Sequence, residues 1–243
     1  MTSHCNTLKN MCKGGTIPGT YVFEQNNPYL HEANAFENGL QALRDGLLAK
    51  AILYFEAAVQ QNSQHFEVCL VKLAVAALCI NKAMEEKALD ILEQWVKSHP
   101  MAHLIMSKRE AVPENSFESL LTRAKKVEHL IRELSAKSAA MDRSVFHNAL
   151  SLVFHITNEY DRAAEEIRAA IACNPEVRWD SVLWNRLGAT LANGAHAAEA
   201  VDAYGKALRI CPGYTRARYN LGIACTHLKN YRYVRGRFKP NTF

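Results

Sequence analysis

The chain has 243 residues, of which 49% are hydrophobic and 22% charged; this balance fits a folded, core-forming protein and excludes a disordered one. Its net charge of +5 is small and scattered, favouring acidic partners but lacking the basic stripe that nucleic-acid binding needs. The seven cysteines contain no C-x-x-C pair, and their odd number and apolar surroundings point to free thiols in a reducing compartment, not to a disulfide framework or zinc site.

Residues 1–20 mix Ser, Thr, Gly, Lys and Cys without a period and read as a flexible lead-in. Nothing there has signal-peptide character. The longest apolar run, residues 68–80, is broken by Lys72 and is too short to cross a bilayer, so a cytosolic protein is expected. From about residue 35 apolar residues recur at three- and four-residue spacing, which predicts an all-α chain.

An internal repeat organises those helices. The segment beginning at Ser181 carries Trp184, Leu187, Gly188, Ala200, Tyr204, Ala207 and Pro212 at positions 4, 7, 8, 20, 24, 27 and 32 of a 34-residue helical hairpin, the tetratricopeptide spacing. Gly188 and Ala200 are small where two antiparallel helices cross, Trp184 and Tyr204 fill the space between hairpins, and Pro212 ends the second helix. Looser copies begin at Glu32 (Gly39, Ala51, Phe55), Cys69 (Ala76, Ala88, Leu92) and Ser144 (Leu150, Phe154, Ala163, Ile167). A further unit opens at Thr215 with Leu221 and Gly222, and reaches Phe238 at position 24. Between residues 101 and 143 the pattern lapses around one helix at about 116–134. The expected organisation is a lead-in over 1–20, an N-terminal repeat half over 21–100, a hinge or degenerate repeat over 101–143, and a C-terminal half over 144–243. The fold expected is a superhelix of antiparallel hairpins with a central hinge helix, the first helix of each hairpin lining a concave groove.

Positions 2, 5, 12 and 13 of those first helices supply the groove candidates. Position 13 holds Asn81, Asn193 and His227; position 12 holds His155; position 5 holds Asn148 and Asn185; Arg216 and Arg218 stand at positions 2 and 4 of the last unit. An asparagine amide both donates and accepts, so it can satisfy the backbone of an extended peptide, and guanidinium groups can hold a terminal carboxylate. The blander alternative is that the position-13 asparagines merely terminate their helices. His147 and His155 lie eight residues apart, roughly on one helix side, without a third ligand; packing or groove histidines are expected there, and neither a metal nor a cofactor. Lys229, Arg232, Arg235, Arg237 and Lys239 interleave with Tyr231, Tyr233 and Phe238; a surface helix accounts for them more simply than RNA or acidic lipid. With no nucleophile elbow, phosphate loop or H-E-x-x-H motif, an enzyme is not expected. A chaperone-type clamp for acidic tails ranks lowest, because position 9 holds Leu152, Ala189 and Ile223, which cannot grip a carboxylate.

Several stretches carry a family resemblance. Tyr21-Val-Phe-Glu24 with Asn27-Pro28-Tyr29, Phe55-Glu-Ala-Ala-Val-Gln-Gln61, Leu183-Trp-Asn-Arg-Leu-Gly-Ala-Thr-Leu-Ala-Asn-Gly194, Pro212-Gly-Tyr214 and Arg218-Tyr-Asn-Leu-Gly-Ile223 together resemble the peroxisomal targeting signal receptor (peroxin 5) family, with the peroxin-5-related proteins as close competitors. The resemblance implies a receptor that meets cargo ending in Ser-Lys-Leu or a similar tripeptide in the cytosol and cycles to docking proteins at the peroxisomal membrane. It also implies that groove asparagines hold the tripeptide backbone and carboxylate. Asn81 and Asn193 match such positions, and Arg218 and Asn220 fall in the arginine–tyrosine–asparagine motif of the next repeat. The alternative it carries is a regulatory scaffold on the C-terminal tails of membrane channels. The chain departs from the family pattern after Gln61, where the family's second repeat has no counterpart. His155 and His227 replace family asparagines, and Pro240 cuts the last repeat short; weakened cargo binding is the expectation.

Overall fold

The computed structural model describes residues 24–61, 66–80, 84–99, 101–106, 118–138, 143–173 and 180–228. Regular structure among them is entirely helical: α1 (Ala35–Arg44), α2 (Leu48–Gln61), α3 (Phe66–Ile80), α4 (Glu85–Ser98), a single turn α5 (His103–Met106), α6 (Leu120–Lys137), α7 (Arg143–Ile156), α8 (Tyr160–Cys173), α9 (Asp180–Asn193), α10 (Ala197–Ile210) and α11 (Thr215–His227). Successive helices pair as hairpins α1–α2, α3–α4, α7–α8 and α9–α10, each touching the next along the chain, while α6 lies between α4 and α7. This is the tetratricopeptide superhelix expected from the repeat.

The turn inside three hairpins is set by one backbone feature. Position 15 of the unit adopts a left-handed conformation in Gly46 (φ 80°), Asn158 (φ 60°) and Ala195 (φ 64°). Around it the last carbonyls of the first helix are satisfied by a paired set of bonds: Leu47 N–H to Ala42 O at 2.8 Å, Glu159 N–H to Phe154 O at 2.8 Å and His196 N–H to Leu191 O at 2.8 Å. This closing motif reverses the chain within three residues. Glycine and asparagine tolerate the conformation; alanine does so at a cost of about 1–2 kcal/mol.

Packing then follows the repeat. Gly39 and Gly188 face the aromatic residue sixteen positions on, such that a Cβ at Gly188 would lie 2.6 Å from Tyr204 Cε1 and one at Gly39 2.7 Å from Phe55 Cδ1. Trp184 bridges the two hydrophobic clusters, its ring covered by Lys206 Nζ at 4.2 Å from the centroid. Helix α6 begins with Ser119, whose Oγ accepts from Thr122 N–H at 3.2 Å as an N-cap. It buries Ala124, Val127, Ile131 and Leu134 at three- and four-residue steps. Arg123, on the side toward α4, is answered by three carboxylates of that helix, Glu86, Asp90 and Glu93, at 3.1, 2.7 and 2.9 Å.

The array also closes on itself. Helix α11 touches α1, and α3 touches α7. Tyr214 and Ala217, 1% and 0% exposed, belong to the same apolar core as Ala35 and Leu40 of the first helix. The groove of the expected superhelix is thereby narrowed into a cavity walled by both ends of the chain.

Candidate peptide-binding cavity

The cavity has two unlike walls. Leu43 of α1 with Leu73, Ala74 and Ala77 of α3 form an apolar side; Asn148 of α7, Asn185 and Arg186 of α9, Tyr214 and Arg216 supply the polar groups of the other, alongside the apolar Val182 and Leu183 of α9. Helix phase brings most of these together: Leu73, Ala74, Asn148, Asn185, Arg186 and Arg216 stand at positions 2, 5 or 6 of their first helices, while Leu43 and Ala77 stand later, at positions 12 and 9.

On the polar side the asparagines are already linked. Asn185 is 5% exposed, and its Oδ1 accepts from Asn220 Nδ2 at 3.2 Å. Asn185 also hydrogen-bonds Tyr214, whose phenol is raised well above its usual range chiefly by burial. Arg186 is half-buried and donates from Nη2 to Ser151 Oγ at 2.7 Å and from Nη1 to Asn148 Oδ1. Burial lowers its pKa to about 10, so it remains a cation at neutral pH. Neither Arg186 nor Arg216 makes an ion pair with a carboxylate among the described residues, and burying such a charge without an anion is costly.

A second polar pair flanks this wall. His155 is half-buried, its ring edge-on to Tyr160 at 5.2 Å, and its Nε2 lies 3.3 Å from Asn193 Nδ2. Burial, and then the Arg186 charge, lowers the His155 pKa to about 4. A neutral imidazole accepts from the asparagine amide, which fixes the direction of that bond. Asn193, the last residue of α9, therefore turns its amide toward α7.

The sequence-derived candidates divide accordingly. Asn185, Arg216 and Asn220 meet in and beside the cavity, and His155 and Asn193 pair at its flank. Arg218 does not join them: its Nη2 donates to Pro212 O at 2.6 Å on the exposed side of α11. His227 is exposed in the last turn of α11, and Asn81 lies outside the described residues. His147 pairs with Glu166 at 2.6 Å, away from His155's partners. Sequence reasoning missed Arg186, Ser151 and Tyr214 as site residues. The available signal was a serine at repeat position 8, where the unit before has Ala76 and the unit after has Gly188.

The fold defines a tetratricopeptide-class scaffold, and its cavity is lined by amide and guanidinium side chains beside apolar ones. No protein-family model matches the chain. Whole-sequence comparison is specific. The chain is 32% identical over 254 residues to the peroxisomal targeting signal receptor of Candida albicans and 33% identical over 246 residues to that of Yarrowia lipolytica, covering 88% and 87% of its length. It is also 32% identical over 217 residues to the human PEX5-related protein, across 74% of its length. The chain is thus homologous to the peroxisomal targeting signal receptors. It spans about two fifths of their length, 42% of the Candida protein. Solved structures similar to it include the tetratricopeptide protein TTC0263 of Thermus thermophilus (18% identity, TM-score 0.46, 79% of this chain and 98% of that one) and MamA (15% identity, TM-score 0.39, 84% and 86%).

Proposed function

We propose that the cavity receives the C-terminal end of an extended peptide, as a non-catalytic cargo-recognition module for proteins ending in Ser-Lys-Leu or a similar tripeptide. The observation that carries this reading is the convergence on one cavity, beside apolar side chains, of two guanidinium groups, Arg186 and Arg216, that have no carboxylate partner among the described residues. A terminal carboxylate supplies the missing anion. Asn185, Asn220 and Asn193 offer amides to the peptide backbone, and Leu43, Leu73 and Ala74 accept an apolar terminal side chain. His155, in place of an asparagine, would act through Asn193. In this reading the protein collects cargo in the cytosol for delivery to the peroxisomal membrane, and α6 joins the two repeat halves. No described helix is long and apolar enough to cross a membrane.

The test is fluorescence anisotropy with a labelled peptide ending in Ser-Lys-Leu, as the free acid and as the amide. The free acid should bind at least tenfold more tightly, because a charge-assisted bond contributes about 1.5–3 kcal/mol. Arg216→Met should remove most of that preference. Equal affinity for acid and amide would reject the reading.

A further inference from the structure

Position 8 of the first helix is glycine in three of the units, Gly39, Gly188 and Gly222, and alanine in one, Ala76, but it is the polar Ser151 in the unit beginning at Ser144. In two of those units the glycine makes room for an aromatic ring sixteen residues on, Phe55 or Tyr204. In the Ser144 unit the residue at that spacing is Ile167, fully buried, so the packing reason for glycine is relaxed. The serine that replaces it is 1% exposed and its hydroxyl is used twice. It donates to Asn148 O at 2.7 Å, which directs its lone pairs outward, and it accepts from Arg186 Nη2 at 2.7 Å. Asn148, three residues earlier on the same face of α7, accepts from Arg186 Nη1.

Two oxygens thus meet the guanidinium fork much as a carboxylate would, but both are neutral. Other arginines of the molecule are held differently: Arg123 by Glu86, Asp90 and Glu93, and Arg162 by Glu128 and Glu159. A carboxylate at either clamp position would hold Arg186 more strongly and would cancel its charge. We infer that Asn148 and Ser151 are positioning residues, a charge-neutral clamp that orients Arg186 in the cavity wall while leaving its positive charge for an anionic ligand. That the ligand is a peptide carboxylate rests on the function proposed above; the clamp itself rests on the geometry of α7 and α9.

The decisive variant is Asn148→Asp in the full chain, which keeps an acceptor in place and adds the opposing charge. Thermal stability should be equal or higher. Affinity for the free-acid Ser-Lys-Leu peptide should fall about tenfold or more while that for the amide is nearly unchanged, so the acid-to-amide ratio collapses. Ser151→Gly should lower the ratio severalfold by freeing the guanidinium. A second arm uses inorganic sulfate as the probe. The rise in melting temperature over chloride at matched ionic strength should be larger for the wild type than for Asn148→Asp. A ratio that survives Asn148→Asp in a folded protein overturns the clamp. If the wild type shows no preference for the free acid, the peptide reading fails by itself and the sulfate arm decides: an increment lost in Asn148→Asp supports the clamp, and equal increments overturn it.

Discussion

Glycine-to-alanine substitution at the helix-crossing position of a hairpin should destabilise the chain, against the intrinsic preference of a helix for alanine. In a helix interior alanine is intrinsically better than glycine by about 1 kcal/mol. At Gly188 this gain meets a wall: the new Cβ would lie 2.6, 2.7 and 2.9 Å from three atoms of the Tyr204 ring, and Tyr204 is only 3% exposed. The ring edge is not a flexible chain end, so α9 and α10 must separate or the ring must leave its rotamer. Overpacking of this kind costs about 1–3 kcal/mol, and the near-ångström overlap with several atoms places it toward the upper end. The net effect of Gly188→Ala is then a loss of about 2 kcal/mol, or roughly 4–8 °C in melting temperature for a chain of this size. Gly39→Ala meets the same obstacle, with the added Cβ 2.7 Å from Cδ1 and Cε1 of the fully buried Phe55, and should lose a similar amount. Urea titration followed by circular dichroism would measure both, with the slope checked for constancy because repeat arrays can lose two-state behaviour. A Gly188→Ala protein as stable as the wild type would refute the argument that close helix crossing dictates this glycine.

Two further outcomes follow from local geometry and charge. Ala195→Gly should stabilise the α9–α10 turn by about 1 kcal/mol, since a φ of 64° strains alanine and not glycine; an unchanged or lower urea midpoint would contradict this. His155 has a folded-state pKa of about 4, below its ordinary 6.5, so between these values the unfolded chain binds the extra proton. The stability this contributes is complete above about pH 6.5 and is lost as pH falls toward 4, amounting to as much as about 3 kcal/mol. His155→Asn should therefore lose less stability than the wild type between pH 7 and pH 4.5, and parallel pH profiles would show that His155 is not desolvated.

The repeat was legible because its determinants are local. Gly188 and Tyr204, or Gly39 and Phe55, sit at fixed spacing within one hairpin, and their sizes report how closely the helices cross. The cavity was less legible because it is made by closure between α1 and α11, helices at opposite ends of the chain; no periodic signal marks that contact. Asn185 and Arg216 could be found from helical phase and Asn220 from the arginine–tyrosine–asparagine motif, whereas Arg218 could not be excluded on motif alone. Two residues along a helix differ by about 200° in direction, so Arg216 and Arg218 cannot both enter one cavity, and the structure turns Arg218 to the Pro212 carbonyl. Arg186 escaped notice for the converse reason. It sits among Leu183, Trp184 and Leu187, whose spacing declares packing, and its placement depends on Asn148 and Ser151 from the preceding hairpin.

Closure also ties recognition to stability. Leu43, Leu73, Ala74 and Ala77 come from α1 and α3, and the cationic and amide groups from α7, α9 and the start of α11, so neither half of the chain walls the cavity alone. Tyr214 stands at the junction. It is buried in the core that includes α1, it bonds Asn185, and its phenol also feels the cations Arg44 and Arg216. Opening the α1–α11 contact would expose that core and separate the two walls in one movement. A ligand that touches both walls binds the closed state alone, and so stabilises it by about 2.7 kcal/mol at a concentration one hundred times its dissociation constant. The same coupling means that an altered residue in the α1–α11 seam, far from the arginines, would weaken binding by lowering the population of the closed form rather than by removing a contact. The superhelix is therefore more than a mount for the site: the closure that completes its core also completes the cavity.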